Sequence, residues 1–122
     1  MKQLLLFMIF CFPLLLTAQQ KTGNLTIFSE DGDKFFLVLN GEKQNNVAQA
    51  NLRIEELPQP YYNAKVIFAD STIASISKNN LMIADPGNGV MMDVTYKIRK
   101  DKSRKAKLNY FSAIAVQEDY VP

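Results

Sequence analysis

The fold class of this chain is decided by one stretch, YYNAKVIFA at residues 61–69. Its side chains alternate with a period of two: Tyr62, Ala64, Val66 and Phe68 share one face, and Tyr61, Asn63, Lys65 and Ile67 share the other. Such alternation is typical of a β-strand that covers a core with one face. Pro58 and Pro60 come just before it and end the preceding element. Residues 61–69 are therefore predicted to form a strand.

Similar short runs, separated by turn-forming residues, occur on both sides of this strand. Asp31-Gly32 and Asn40-Gly41 are predicted turns, because their residues tolerate positive φ, and residues 85–89 form the clearest loop. The other predicted strands are Leu25–Ser29, Phe35–Leu39, Thr72–Ser77, Leu81–Ala84, Met91–Arg99 and Leu108–Val116. Lys78-Asn79-Asn80 is predicted to be a tight turn or a bulge. Phe111 is out of phase with its neighbours, which predicts a second bulge or a face shared with a partner.

Residues 46–57 fit two patterns. A helix is suggested by apolar side chains at helical spacing and by a proline stop at Pro58. A strand is suggested by the alternation of Leu52 and Ile54 with charged neighbours, and we favour the strand. The chain then has about eight strands and no confident helix. We predict an all-β fold, a single antiparallel β-sandwich of immunoglobulin-like type.

The first eighteen residues have the pattern of a secretory signal peptide. Lys2 provides the positive start, Leu4–Leu16 is an almost unbroken apolar run, and Ala18 places a small residue at the cleavage point. The run is short for a permanent anchor, and no basic stop-transfer cluster follows it. We predict a β-sandwich domain at 19–117 and a C-terminal tail at 118–122, exported to the periplasm, the outer membrane or the extracellular space without a transmembrane anchor.

The composition removes the usual chemistry of many enzymes. The chain has no histidine and no tryptophan, and its single cysteine, Cys11, lies in the predicted signal peptide. Zinc, copper and haem sites would lack their usual nitrogen and sulfur ligands, and a serine nucleophile would lack an imidazole base. We therefore predict that the protein is not an enzyme and that it holds no metal or cofactor.

Seven of the fourteen basic residues fall within eleven positions near the C-terminus. They are Lys97, Arg99, Lys100, Lys102, Arg104, Lys105 and Lys107. On a hairpin they would crowd one tip and one outer face, where they could bind an acidic glycan, an acidic lipid or an envelope protein. The alternative, which the sequence favours, is a solvated hairpin whose lysines prevent edge-to-edge aggregation. The net charge is only +2, and no recognised motif accompanies the cluster, so nucleic acid is not an expected partner.

Aromatic side chains provide a second candidate surface. Tyr61 and Tyr62, with Phe28, Phe35 and Phe111, could form an exposed stacking platform for sugars or for a partner. The deciding feature is whether the two tyrosine rings pack inward or lie together beside a concavity. Acidic residues around Gly32 are interpreted as turn formers, because the ligand spacing of a calcium loop is missing.

Several segments resemble a secreted Bacteroidota family of unknown function. They are Asn24–Gly32, Phe36–Gly41, Gln59–Lys65 and Val94–Ile98. In that family an N-terminal β-domain precedes a Pro/Thr-rich linker and a separate C-terminal domain, and this chain departs from the pattern by stopping at Pro122. A looser resemblance, over Gly32–Gly41 and Leu57–Tyr62, is to PEGA-type β-sandwich modules. Neither resemblance supplies a catalytic residue.

Together these features predict an exported, non-catalytic interaction or structural module of the bacterial cell envelope. The alternative is a small-ligand or glycan-binding domain that uses Tyr61 and Tyr62. The sequence leaves the oligomeric state and the identity of any partner open.

Overall fold

The computed structural model describes residues 21–116, and every regular element in this range is a β-strand. The strands are β1 (Gly23–Ser29), β2 (Phe35–Leu39), β3 (Glu42–Lys43), β4 (Asn51–Leu57), β5 (Tyr61–Phe68), β6 (Ile76–Met82), β7 (Met92–Lys100) and β8 (Ala106–Ala115). For residues 21–116, the prediction of an all-β fold with about eight strands is confirmed. The predicted signal peptide at 1–18 and tail at 118–122 lie outside the described residues, as do both ends of the predicted domain.

The strands form two four-stranded sheets. The first sheet has the order β4-β1-β7-β8 and the second the order β3-β2-β5-β6. All pairings are antiparallel except that of β1 with β7, which is parallel. The predicted purely antiparallel arrangement is therefore wrong at this pair. All strands of the second sheet, together with β4, lie between β1 and β7 in the sequence. So long a connection allows β7 to run in the same direction as β1.

Within residues 21–116, a buried apolar cluster joins the two sheets. The first sheet contributes Leu25, Ile27, Val94, Tyr96 and Ile98 among others, and the second contributes Phe35, Leu37, Val66, Phe68 and Leu81 among others. Buried and more exposed residues alternate along β1, β2 and β5, as the period-two pattern predicts. The Tyr96 hydroxyl also bridges the sheets, accepting from the Met82 amide at 3.0 Å and donating to the Met82 carbonyl at 3.1 Å. The fold is β-sandwich-like.

The ambiguous segment, residues 46–57, contains strand β4, so the choice of a strand is confirmed. Ile54 lies opposite Leu25, and the register then shifts so that Leu57 lies opposite Gly23. Glu56 has a φ of 59° within this irregularity. The bulge brings Ile54 and Leu57 to the same face at a spacing of three residues. This explains why the apolar pattern of this strand also fitted the spacing of a helix.

The boundaries of β6 differ from the prediction. Lys78-Asn79-Asn80 lies inside this strand, and the register with β5 shifts beside it, so the segment is a bulge and not a turn. Residues 70–73 form a turn, because the Asp70 carboxylate accepts from the amide and the hydroxyl of Thr72. The predicted strand at 72–77 therefore starts too early. The predicted bulge at Phe111 is confirmed by a register shift between β7 and β8.

Candidate functional site: the end of the β7–β8 hairpin

The loop that joins β7 to β8 is held by one carboxylate. Asp101 Oδ1 accepts from the backbone amides of Ser103 and Lys105, at 2.9 and 3.0 Å, and from the Ser103 hydroxyl at 2.6 Å. The hydrogen bond from the Ser103 side chain, with those from the backbone, holds the pKa of Asp101 below its usual range. The Asp101 amide donates to the Lys105 carbonyl, and Arg104 closes the turn with a φ of 68°. The basic residues are thus attached to an ordered hairpin end.

Two open depressions flank this hairpin end. The outer depression, about 440 Å³, is lined by Arg99, Lys100, Asp101, Lys102, Lys107 and Asn109. The inner depression, about 320 Å³, is lined by Asp70, Thr72, Ile73, Ala74, Lys100, Arg104, Lys105 and Ala106. Six of the seven predicted basic residues therefore line one depression or both. Lys97 lines neither and contacts Phe111 instead, with its Nζ atom 5.3 Å from the ring centroid.

Carboxylates compensate only part of this charge. Three of the seven make ion pairs: Lys97 with Glu30 (3.3 Å), Lys100 with Asp33 (2.9 Å) and Lys107 with Asp101 (3.8 Å). The other four make no ion pair with any residue of the described range: Arg99, Lys102, Arg104 and Lys105. The inner depression contains the Asp70 carboxylate, whose pKa is lowered by hydrogen bonds from Thr72. The outer depression also contains one carboxylate, that of Asp101, but it has four cationic side chains where the inner one has three. The outer depression consequently has the larger excess of positive charge.

The strand register puts two cations directly opposite each other in the outer depression. Arg99 of β7 pairs with Lys107 of β8, and opposed side chains in antiparallel strands start about 5 Å apart. Like charges in that position destabilise a sheet. The contact of Lys107 with Asp101, at 3.8 Å, is too long for a hydrogen bond. An anionic group seated between Arg99 and Lys107 would remove this repulsion, and a guanidinium can bind phosphate, sulfate or carboxylate through two parallel hydrogen bonds.

The two-tyrosine platform is not formed. Tyr62 is only 7% exposed and its hydroxyl accepts from the Gln59 amide, whereas Tyr61 is 42% exposed on the opposite face of β5. Phe35 is fully buried. Adjacent residues of a strand point to opposite faces, so the rings of Tyr61 and Tyr62 cannot stack on one ligand. Of the two tyrosines, only Tyr61 is exposed on the outer face of the second sheet.

Two members of the predicted platform form an aromatic pair on the first sheet, apart from the buried Phe35 and Tyr62. Phe28 and Phe111 contact each other on its outer face, with ring centroids 5.4 Å apart and an interplanar angle of 89°. Phe111 is 54% exposed, and Ile114, further along β8, is 56% exposed. The sequence signalled Phe111 through its broken alternation. It gave no sign of Ile114 or of Asn109, because their exposure and position depend on the register of β8.

Acidic residues at the turn after β1 contact lysines of β7. Glu30 pairs with Lys97, and Asp33 pairs with Lys100. Within residues 21–116, no group of three or more histidine, cysteine, aspartate or glutamate side chains is arranged to hold a metal ion. In the same range, no helix is long and apolar enough to cross a membrane.

Comparison with known proteins gives no match to a protein-family model, a curated protein or a solved structure.

Proposed function

We propose that this chain is an exported, non-catalytic interaction module of the cell envelope that binds polyanions at the end of the β7–β8 hairpin. The observation that carries the binding is the direct opposition of Arg99 and Lys107 in an open depression that also contains Lys102 and Asn109. The signal-peptide pattern and the resemblance to PEGA-type modules support export and an envelope role. The absence of histidine from the sequence supports a non-catalytic role.

The arrangement suits a ligand that carries several negative charges. One anionic group fits between Arg99 and Lys107, where it accepts from both side chains and finds a further amide donor on Asn109. Lys102, Arg104 and Lys105 continue the positive charge around the loop, so neighbouring anionic groups of the same polymer meet additional cations. An open depression, unlike a closed cavity, lets such a chain extend past it in both directions.

The test compares two charge-neutralising variants of the secreted chain, residues 19–122. The site variant is Arg99→Ser with Lys107→Ser, and the control is Lys43→Ser with Lys65→Ser. The control residues are exposed and lie on both sides of Val38 on the second sheet, so the net charge changes equally in both variants. Affinity for heparin is measured by titration at low and moderate salt.

We expect the site variant to bind heparin about tenfold more weakly at low salt, since two close charge contacts are lost. The control should change affinity less than about twofold, and the difference should shrink as salt rises. Equal losses in the two variants would show that binding follows overall charge alone. That result, or no heparin binding by the unmodified chain, would contradict the proposal.

A further inference from the structure

Exposed apolar side chains are concentrated beside the outer depression. The described residues expose seven large hydrophobic side chains, and two of them, Phe111 and Ile114, lie on the outer face of β8. Tyr110 is also exposed, but it lies opposite the buried Tyr96 and contacts its ring on the other face of the strand. Phe111 contacts Phe28 and Lys97 on the outer face of the first sheet. Ile114 lies opposite Asp93 of β7. Asp93 comes directly before the fully buried Val94, so Asp93 and Ile114 both point to the outer face of the first sheet. Arg99, Lys107, Phe111 and Ile114 therefore share one face.

The outer face of β8 is polar and cationic near the hairpin end, and its two large apolar residues lie towards the other end. The strand presents Lys107, Asn109, Phe111, Ser112 and finally Ile114, over a length of about 20 Å at the rise of an extended strand. Cations that can meet phosphates, followed by apolar groups that can enter hydrocarbon, make up the composition of surfaces that bind to the membrane interface. A soluble polyanion would gain nothing from contact with the apolar Phe111 and Ile114.

We propose that the outer face of β7 and β8 docks on the surface of an anionic lipid bilayer. This inference rests on the proposed function and names the polyanion as a layer of lipid phosphates. Arg99 and Lys107 bind the phosphates, and Phe111 and Ile114 enter the boundary between headgroups and acyl chains.

Features of Phe111 and Ile114 favour lipid over sugar. A sugar ring stacks on a free aromatic face, whereas the Phe111 ring already has the Lys97 ammonium 5.3 Å from its centroid and Phe28 packed perpendicular to it. Ile114 has no polar side-chain atom that could hydrogen-bond a glycan. Both side chains gain from burial in hydrocarbon, and neither needs a specific partner there.

The experiment uses a tryptophan placed in the proposed contact. The chain has no tryptophan, so Phe111→Trp introduces a single fluorescent reporter that keeps an aromatic ring at this position. The protein is titrated with vesicles of phosphatidylcholine alone, with vesicles of phosphatidylcholine and phosphatidylglycerol in equal parts, and with heparin. We expect a blue shift of emission with the anionic vesicles only. A reporter that stays in water in the presence of bound anionic vesicles would overturn the proposal.

Co-sedimentation with the same vesicles separates the two halves of the face. Phe111→Ser with Ile114→Ser should weaken binding to anionic vesicles about tenfold, because half-exposed apolar surface is no longer buried, and should leave heparin affinity unchanged. Val47→Ser with Val90→Ser is the control, since both valines are exposed elsewhere, and it should bind vesicles normally. Arg99→Ser with Lys107→Ser should weaken both kinds of binding.

The outcomes distinguish this inference from the proposed function. Heparin binding that needs Arg99 and Lys107, together with vesicle binding that ignores Phe111 and Ile114, overturns the lipid inference and leaves the proposed function standing. If no variant loses affinity for heparin or for vesicles, both the proposed function and the lipid inference are overturned. Among the described strands β8 pairs with β7 alone, so sedimentation equilibrium is run in parallel to detect pairing with a second copy. A dimer that dissociates in the Phe111→Ser, Ile114→Ser variant, without any change in vesicle binding, would assign this surface to a second copy and overturn the lipid inference.

Discussion

Two arginines on the outer face of the first sheet have opposite surroundings. Arg53 of β4 donates to both carboxylate oxygens of Asp93, at 3.0 and 2.8 Å, and its Nε atom donates to Glu55 at 3.0 Å. Arg99 of β7 faces Lys107 and has no carboxylate partner among residues 21–116. The same face thus gives one arginine two carboxylate partners and leaves the other opposite a like charge. Arg99, which lacks a carboxylate partner in this range and faces Lys107, supports the binding role that we propose for this pair.

The largest expected change in stability lies away from both arginines. Asn45 is 8% exposed; its Oδ1 accepts from the Leu37 amide at 2.9 Å and its Nδ2 donates to the carbonyls of Phe35 and Val47. The side chain thereby attaches the segment after β3 to β2. Asn45→Ala should lower the free energy of unfolding by about 2–4 kcal/mol, because buried backbone groups lose their partners. Asn46→Ala, at an exposed neighbour, is the control for urea denaturation and should change little. A small effect at Asn45 would mean that water replaces its hydrogen bonds.

The next largest effect comes from giving Arg99 the partner it lacks. Lys107→Glu places a carboxylate opposite the guanidinium, so affinity for heparin should fall more than about tenfold as a repulsive group enters the site. The free energy of unfolding should rise by roughly 0.5 kcal/mol, because an opposite-charge pair replaces a like-charge pair across the strands. Lys65→Glu makes the same charge change on the second sheet and is the control. It should change heparin affinity and the free energy of unfolding less than Lys107→Glu does. A variant that loses stability as well as binding would show that Lys107 supports the fold.

The compensated arginine has a predictable dependence on pH. Hydrogen bonds from Arg53 hold the pKa of Asp93 below its ordinary value. A carboxyl group with a lowered folded-state pKa contributes stability at pH values above its unfolded pKa, about 3.9, and loses that contribution as pH falls through the folded value. Asp93→Asn should therefore cost up to about 1 kcal/mol at neutral pH, a range set by the solvent exposure of the pair.

The difference between the unmodified chain and Asp93→Asn should vanish in acid, as followed by thermal unfolding from pH 7 to below pH 3. Asp31→Asn is a suitable control, because Asp31 is exposed and makes no ion pair within the described range. A gap of constant size at all pH values would show that the Asp93 carboxylate charge is irrelevant to its role.

Alternation along the chain was enough to predict the strands but not their partners. The pattern of residues 61–69 predicted the two faces of β5 correctly. It also placed Tyr61 and Tyr62 on opposite faces, so the predicted platform that used both tyrosines was inconsistent with the pattern. The parallel pairing of β1 with β7 has no local signature, because it depends on the path of the whole second sheet. The opposition of Arg99 and Lys107 required the loop length and the register of β8, and both emerge only when the hairpin is folded.

The smallest expected effect tests whether the hairpin end is built for stability. Arg104 has a φ of 68°, a conformation that is costly for a residue with a β-carbon, and glycine is the usual choice at such a position in a short hairpin loop. Arg104→Gly should therefore raise the free energy of unfolding by up to about 0.5 kcal/mol, the relief of strain being partly offset by the entropy of the unfolded glycine. Lys102→Gly removes one cation from the same loop without a positive φ and should lower stability instead. If both variants weaken heparin binding while their stabilities move in opposite directions, the arginine is kept at a strained position because its charge is used there; a destabilised Arg104→Gly variant would indicate that its side chain packs for the fold.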